Sequence, residues 1–328
     1  MEMRKIILFG KSAFCITLPQ SWAKKHKLQK GDSIGIIETQ RNSLEIRPAD
    51  NLAALLQEQS VSIDIMEMTD KEIAHQLLSA YLNGYSMITF TGTDSQKEIF
   101  IRSQVQKYMA TEVMESKSGK VVVQVFWDMS NVDLQAIMTR IGHICKNLFN
   151  ESMELLNNNV SFEEIKEHGA EAQKQVLLAR RVIKCAINNA AVAQKFNLSS
   201  LELLYASYIT YFLGKTAEHT VKISRILDDN HITTKISENK QAAKMMEALL
   251  GQVLEYYDSI FKSFSRKDIS HQTIAEYEDI EEAVNNFRQK NAQSWAPLIA
   301  EYMNIVIGKI KEAEFMMISM ENAPKYNI

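Results

Sequence analysis

Cysteine is scarce and poorly placed for chemistry: Cys15, Cys145 and Cys185 are odd in number, far apart and never in Cys-x-x-Cys spacing. That excludes a disulfide framework and a thiolate zinc site, and leaves buried thiols in a reducing compartment as the expectation. Long apolar runs are missing too. No stretch approaches the ~20 uninterrupted apolar residues of a membrane helix. The amino terminus has no basic region leading into an apolar core and a small-residue cleavage site, so a cytoplasmic location is expected. There is no Gly-x-Gly-x-x-Gly, hence no dinucleotide cradle, and no nucleophile–base pair at a recognisable spacing, so an enzyme is not expected. Proline is rare: beyond Ser130 only Pro297 precedes the tail, which leaves room for long helices.

What is present is a chain of 328 residues, 46% apolar and 23% charged, long enough to bury more than one core. Its net charge of −3 is unevenly spread: residues 1–50 hold nine Lys/Arg against five acids, which makes that segment +4 and the remainder −7. A basic terminal module points to a polyanionic partner. One short motif occurs twice, as Gly214-Lys215-Thr216-Ala217-Glu218 and Gly308-Lys309-Ile310-Lys311-Glu312. Each copy lies inside a long apolar-periodic stretch, so the second half reads as two copies of one helical unit.

In the first 49 residues the pattern is strand, strand, one helical turn, strand, strand. Residues 4–9 and 13–18 flank Gly10, Pro19 pre-sets a helix from Gln20 to about His26 anchored by Trp22, and Ser33–Glu38 and Leu44–Arg47 pair across a turn at Gln40–Ser43. Gly10-Lys11-Ser12 is not a phosphate loop: Lys5 stands where that loop needs a glycine, and strand-like Ala13–Leu18 follows where it needs a helix. So short a module buries too little surface to be stable alone, and pairing with a second copy is expected. Arg4-Lys5, Gly10-Lys11-Ser12, Ile16-Thr17-Leu18-Pro19, Trp22, Lys24-Lys25 and Leu28-x-Lys30-Gly31-Asp32 resemble the AbrB/SpoVT/MazE swapped-hairpin domain. The resemblance implies a β-barrel interlaced from two chains, with Arg4, Lys5, Lys11, Ser12, Lys24 and Lys25 contacting double-stranded DNA. Four residues, Ser12–Cys15, separate Lys11 from Ile16 where the shortest family members connect more directly.

Residues 52–128 alternate between strand and helix: Val61–Ile65, a helix from the capping box Thr69-x-x-Glu72 to Asn83, Met87–Phe90, a helix from Thr93-x-x-Gln96 to Ala110, then Glu112–Glu115 and Val121–Phe126. This is a small α/β domain whose strands are covered by two helices. Six helical stretches follow, the second and third opened by the capping boxes Ser161-x-x-Glu164 and Ser199-x-x-Glu202. They divide at Asp228–Thr234 into three-helix bundles over 130–230 and 235–323. The whole is expected to be multidomain and mostly α.

The frame Leu213–Ile223 and its second copy resemble the third helix of the PhoU family, regulators of phosphate uptake, whose two carboxylates four residues apart hold metal ions. Here Gly214 and Gly308 stand where the first carboxylate would be, and Glu218 and Glu312 where the second would be. A hard cation wants six or more oxygens. The resemblance therefore implies at most a degenerate divalent-metal site, with Glu218, Glu312, Glu278 and Glu282 as its acids. The alternative is that Glu218 and Glu312 pair with neighbouring Lys or Arg. End to end, the arrangement resembles archaeal AbrB-fused PhoU-like regulators. It implies a DNA-binding transcriptional regulator of phosphate uptake acting as a homodimer or higher even oligomer. The other reading is a signalling adaptor that docks on phosphate-transport proteins.

Overall fold

A computed structural model describes residues 3–38, 43–48, 59–117, 119–126, 132–157, 159–189, 192–193, 196–229, 240–266, 273–291 and 295–321. The turn expected at Gln40–Ser43 and the break at Asp228–Thr234 lie largely outside them. Among the described residues no helix is long and apolar enough to cross a membrane. The chain divides into two compact units, Met1–Gln57 and Glu58–Ile328.

In the first unit β1 (Ile7–Phe9) pairs antiparallel with β2 (Ala13–Cys15), Ile7 opposite Cys15. The reversal opens at Gly10, whose φ of +69° favours a residue without a Cβ. Helix α1 (Gln20–Lys25) follows Pro19, and β3 (Ile34–Glu38) pairs antiparallel with β4 (Leu44–Pro48). Among the described residues β1 bonds only to β2 and β3 only to β4, and these strands do not close a barrel. Helix α1 fully buries none of its residues, and Trp22, the expected anchor, is half-buried against His26. Cys15 is exposed, contrary to the expected buried thiol, as are all three residues of its strand.

The second unit opens with β5 (Ser60–Asp64), α2 (Asp70–Leu82), β6 (Met87–Thr91), α3 (Ser95–Val105), β7 (Thr111–Lys117) and β8 (Lys120–Val125). The sheet order is β5-β6-β8-β7, parallel between β5 and β6 and antiparallel elsewhere. Ile88, Phe90, Val121 and Val123 on one sheet face pack under Ile73, Leu77 and Tyr81 of α2 and Ile101 and Val105 of α3, the expected two-helix cover. The Thr69–Glu72 capping box forms, and α2 gives way at Gly84, φ +90°. Two details differ from the sequence reading. Asp94, not Thr93, caps α3, its carboxylate accepting from the Lys97 amide at 2.8 Å. That helix stops at Val105 rather than Ala110, and the chain turns into β7 through Ala110, φ +52°.

Among the described residues six helices follow: α4 (Leu134–Leu156), α5 (Phe162–Asn188), α6 (Ser200–Leu227), α7 (Lys240–Arg266), α8 (Thr273–Lys290) and α9 (Ala296–Glu321). The Ser161–Glu164 and Ser199–Glu202 capping boxes open α5 and α6. Helices α4, α5 and α6 pack on one another, as do α7, α8 and α9; α6 also packs on α9, and α4 on α7. The two triplets therefore share a single core, in which Ile141, Leu148 and Val182 are continuous with Leu250, Val284 and Val306. Within the apolar period, Ile187, Leu204, Tyr208, Tyr211, Leu298 and Phe315 are exposed rather than core.

The seam between α4 and α7 needs a glycine. A Cβ on Gly142 would lie 1.9 Å from Phe261 Cε2, and the Tyr257 hydroxyl donates to the Gly142 carbonyl at 2.9 Å. Beside it, Lys146 pairs with Asp258 at 2.7 Å.

Candidate functional site

The basic residues suggested for DNA are exposed on the first unit. Arg4 precedes β1 and donates to the Thr17 hydroxyl at 3.3 Å, tying the two ends of the β1–β2 hairpin together. Lys11 and Ser12 occupy the β1–β2 reversal, and Lys24 and Lys25 lie in the last turn of α1, where the helix dipole favours cations. Lys5, Lys11, Ser12, Lys24 and Lys25 are all exposed. Around them lies an unusual apolar surface. Ile7, Leu8 and Phe9 are consecutive and therefore point to both faces of the hairpin, yet all three are more than half exposed, as are Phe14, Ile16, Ile36 and Leu44. A two-stranded hairpin exposed on both faces has nothing to offset the entropy of ordering it.

The two Gly-Lys-x-x-Glu motifs fall on α6 and α9, which pack together. Each motif closes its own ion pair, Lys215 to Glu218 at 2.6 Å and Lys309 to Glu312 at 2.7 Å. Glu218 has a second ammonium, Lys222, at 2.7 Å. Partial burial works to raise the Glu218 pKa, but hydrogen bonds and charge from Lys215 and Lys222 override it and hold the carboxyl down at about 2. Across the seam Lys309 Nζ stands 5.7 Å from the ring centroid of Phe212 and 6.0 Å from that of Tyr211, and Lys222 Nζ stands 5.8 Å from that of Tyr302. Lys309 of the second motif and Lys222, just beyond the first, thus bridge the repeats. Next to them His219 leans on Tyr302, and burial pushes its imidazole pKa down.

Of the acids suggested for a metal, Glu218 is engaged by two lysines and Glu312 by one, while Glu278 and Glu282 lie exposed on α8. Among the described residues no three His, Cys, Asp or Glu side chains gather closely enough to hold a metal ion. The alternative given by the sequence, acids paired with neighbouring lysines, is the geometry found. The motif glycines differ from each other: a Cβ on Gly214 would meet both Val176 methyls at 3.1 Å, whereas one on Gly308 would meet nothing within 4 Å.

Sequence reasoning missed Arg181 of α5. Its guanidinium is buried, stacks 5.0 Å above the Tyr81 ring and donates to the carbonyls of Tyr81, Gly84 and Tyr85 where α2 ends. Nothing local distinguishes it from Arg180, and only its place on the apolar stripe beside Leu178 and Val182 hints at burial. The chain matches no family model, no curated protein and no solved structure.

Proposed function

We propose that this protein is a dimeric DNA-binding transcriptional regulator. In this reading a second copy covers the exposed hairpins of the first unit, closing a swapped-hairpin barrel, and the PhoU-like helical half serves as the sensing or partner-docking module in control of phosphate uptake. The observation that carries the reading is the combination in one small unit of uncovered Ile7, Leu8, Phe9 and Phe14 with exposed Lys5, Lys11, Lys24 and Lys25. Covering the first set by a second copy duplicates the second set, and clustered cations of that kind bind phosphates by releasing counterions. The test titrates full-length protein against duplex from a phosphate-transport promoter and against scrambled duplex over a salt series, beside an Arg4→Glu/Lys11→Glu variant. Promoter-preferring binding lost in the variant supports the reading; absent or equal, salt-erased binding to both duplexes overturns it.

The adaptor reading is favoured by one feature, the stripe of Leu204, Tyr208 and Tyr211 on α6, each more than two-fifths exposed. Apolar and aromatic side chains on one exposed helix face suit a protein partner. Failure of the DNA titration together with retained dimerisation would favour it.

A further inference from the structure

Helices α5 and α6 are antiparallel neighbours that leave an open groove of about 680 Å³ on one side. Its floor is apolar. Gly169 makes it possible: a Cβ there would lie 2.5 Å from Val221 Cγ2, so only glycine lets Val221 sit against the α5 backbone. Phe162 and Ala170 also line the groove. The rim is charged, with Glu163, Lys166, Glu218, Lys222 and Arg225 lining it. Both carboxylates are already taken. Glu163 holds Lys166 at 3.0 Å, and Glu218 is shared by Lys222 and, from outside the groove, Lys215. Arg225 is exposed and forms no ion pair among the described residues. The groove therefore has one more cation than anions along its rim, and its surplus guanidinium is the side chain best suited to a planar or tetrahedral oxyanion.

We infer that this groove binds an amphiphilic anion, a ligand with one carboxylate or phosphoryl group on a small apolar body. The volume is that of a small-molecule site. Phe162, Ala170 and Val221 receive the apolar body, and Arg225 pairs with the oxyanion. The inference names a ligand class for the helical half and does not depend on DNA binding by the first unit.

Equilibrium dialysis of the full-length protein with 1-naphthyl phosphate, 1-naphthoate and neutral 1-naphthalenemethanol tests it, the first two separating a phosphoryl from a carboxylate preference. The expected result is saturable binding of at least one anion at one site per chain, with the alcohol at least tenfold weaker. Arg225→Glu is a surface change that leaves the floor intact and should weaken the anion by about tenfold or more, while Arg180→Glu, an exposed change elsewhere on α5, should not. Ala170→Trp fills the groove and should abolish binding of every probe, its circular dichroism confirming that the helices remain. Anion binding that survives Arg225→Glu, or equal binding of the alcohol, overturns the inference, as does the absence of binding by either anion. Retained binding in the Arg4→Glu/Lys11→Glu variant keeps this outcome separate from that of the DNA reading.

Discussion

Arg181 of α5 and Tyr81 of α2 are joined twice: the guanidinium stacks 5.0 Å above the ring and donates to the carbonyl of the same tyrosine. The other bonds of Arg181, to Gly84 and Tyr85 at 3.0 and 3.1 Å, use carbonyls of the turn that follows α2. The side chain thus ties α5 to the last turn of α2 and to the turn that follows it.

Replacing Arg181 by Met keeps apolar bulk but removes the guanidinium from all three carbonyls, leaving that of Tyr81 with the Gly84 amide. A loss of about 3 kcal/mol is expected, since hydrogen bonds to charged groups are worth ~1.5–3 kcal/mol and orphaned buried acceptors add to that. Urea unfolding measures the total. Amide hydrogen exchange should show lost protection concentrated in the last turn of α2, and unchanged exchange there would contradict this account.

Glycine substitutions should split in sign. Gly142→Ala drives a methyl into the Phe261 ring and should cost about 2 kcal/mol, in the range of overpacked cores. Gly308→Ala enters open space in the middle of α9 and should stabilise by ~0.5–1 kcal/mol through helix propensity alone. Gly214→Ala, facing Val176, should gain less than its counterpart. Thermal melts of the three variants decide it.

Glu218 should give stability a pH dependence on the acid side. Its folded pKa, about 2, lies below the ordinary 4.5, so its contribution is complete above pH 4.5 and is lost as pH falls from there towards 2. The group is about one-third exposed, and solvent screening reduces the effect to about 1 kcal/mol. Glu218→Gln should be less stable than the parent by that amount at pH 7 and equal to it near pH 2, with the gap narrowing in 1 M salt. A gap that is constant with pH would assign the residue's role to packing.

Phe14→Asp, on the exposed face of the first hairpin, should shift sedimentation from dimer to monomer and lower DNA affinity together. In a monomer that stays folded without a partner, the same substitution would leave sedimentation unchanged and the melting temperature within about 1 °C, as surface changes do.

The sequence made the element order legible. Capping boxes such as Thr69–Glu72 and Ser161–Glu164 are local, and both form as read. What failed was what depends on partners distant in sequence. Tyr208 and Phe315 keep the apolar period yet face outward, because period alone does not say whether a neighbouring helix arrives. The ion pairs of Glu218 were readable from Lys215 and Lys222 at three and four residues' distance, a spacing that places side chains on one helix face. The stacking of Lys309 on Phe212 was not, since it spans two copies of the repeat. Arg181 shows the same limit, its partners lying about a hundred residues away.

The shared core of the two helical triplets has a consequence for how they come apart. Phe212 and Leu213 of α6 meet Ile260 and Phe261 of α7 and Ile310 and Ala313 of α9 around one apolar gap, so neither triplet has a finished surface on that side. A fragment ending at residue 229 would expose that face to water, and damage in either triplet is felt in the other. The helical half should accordingly melt in one cooperative step: two copies in sequence behave as one body in stability.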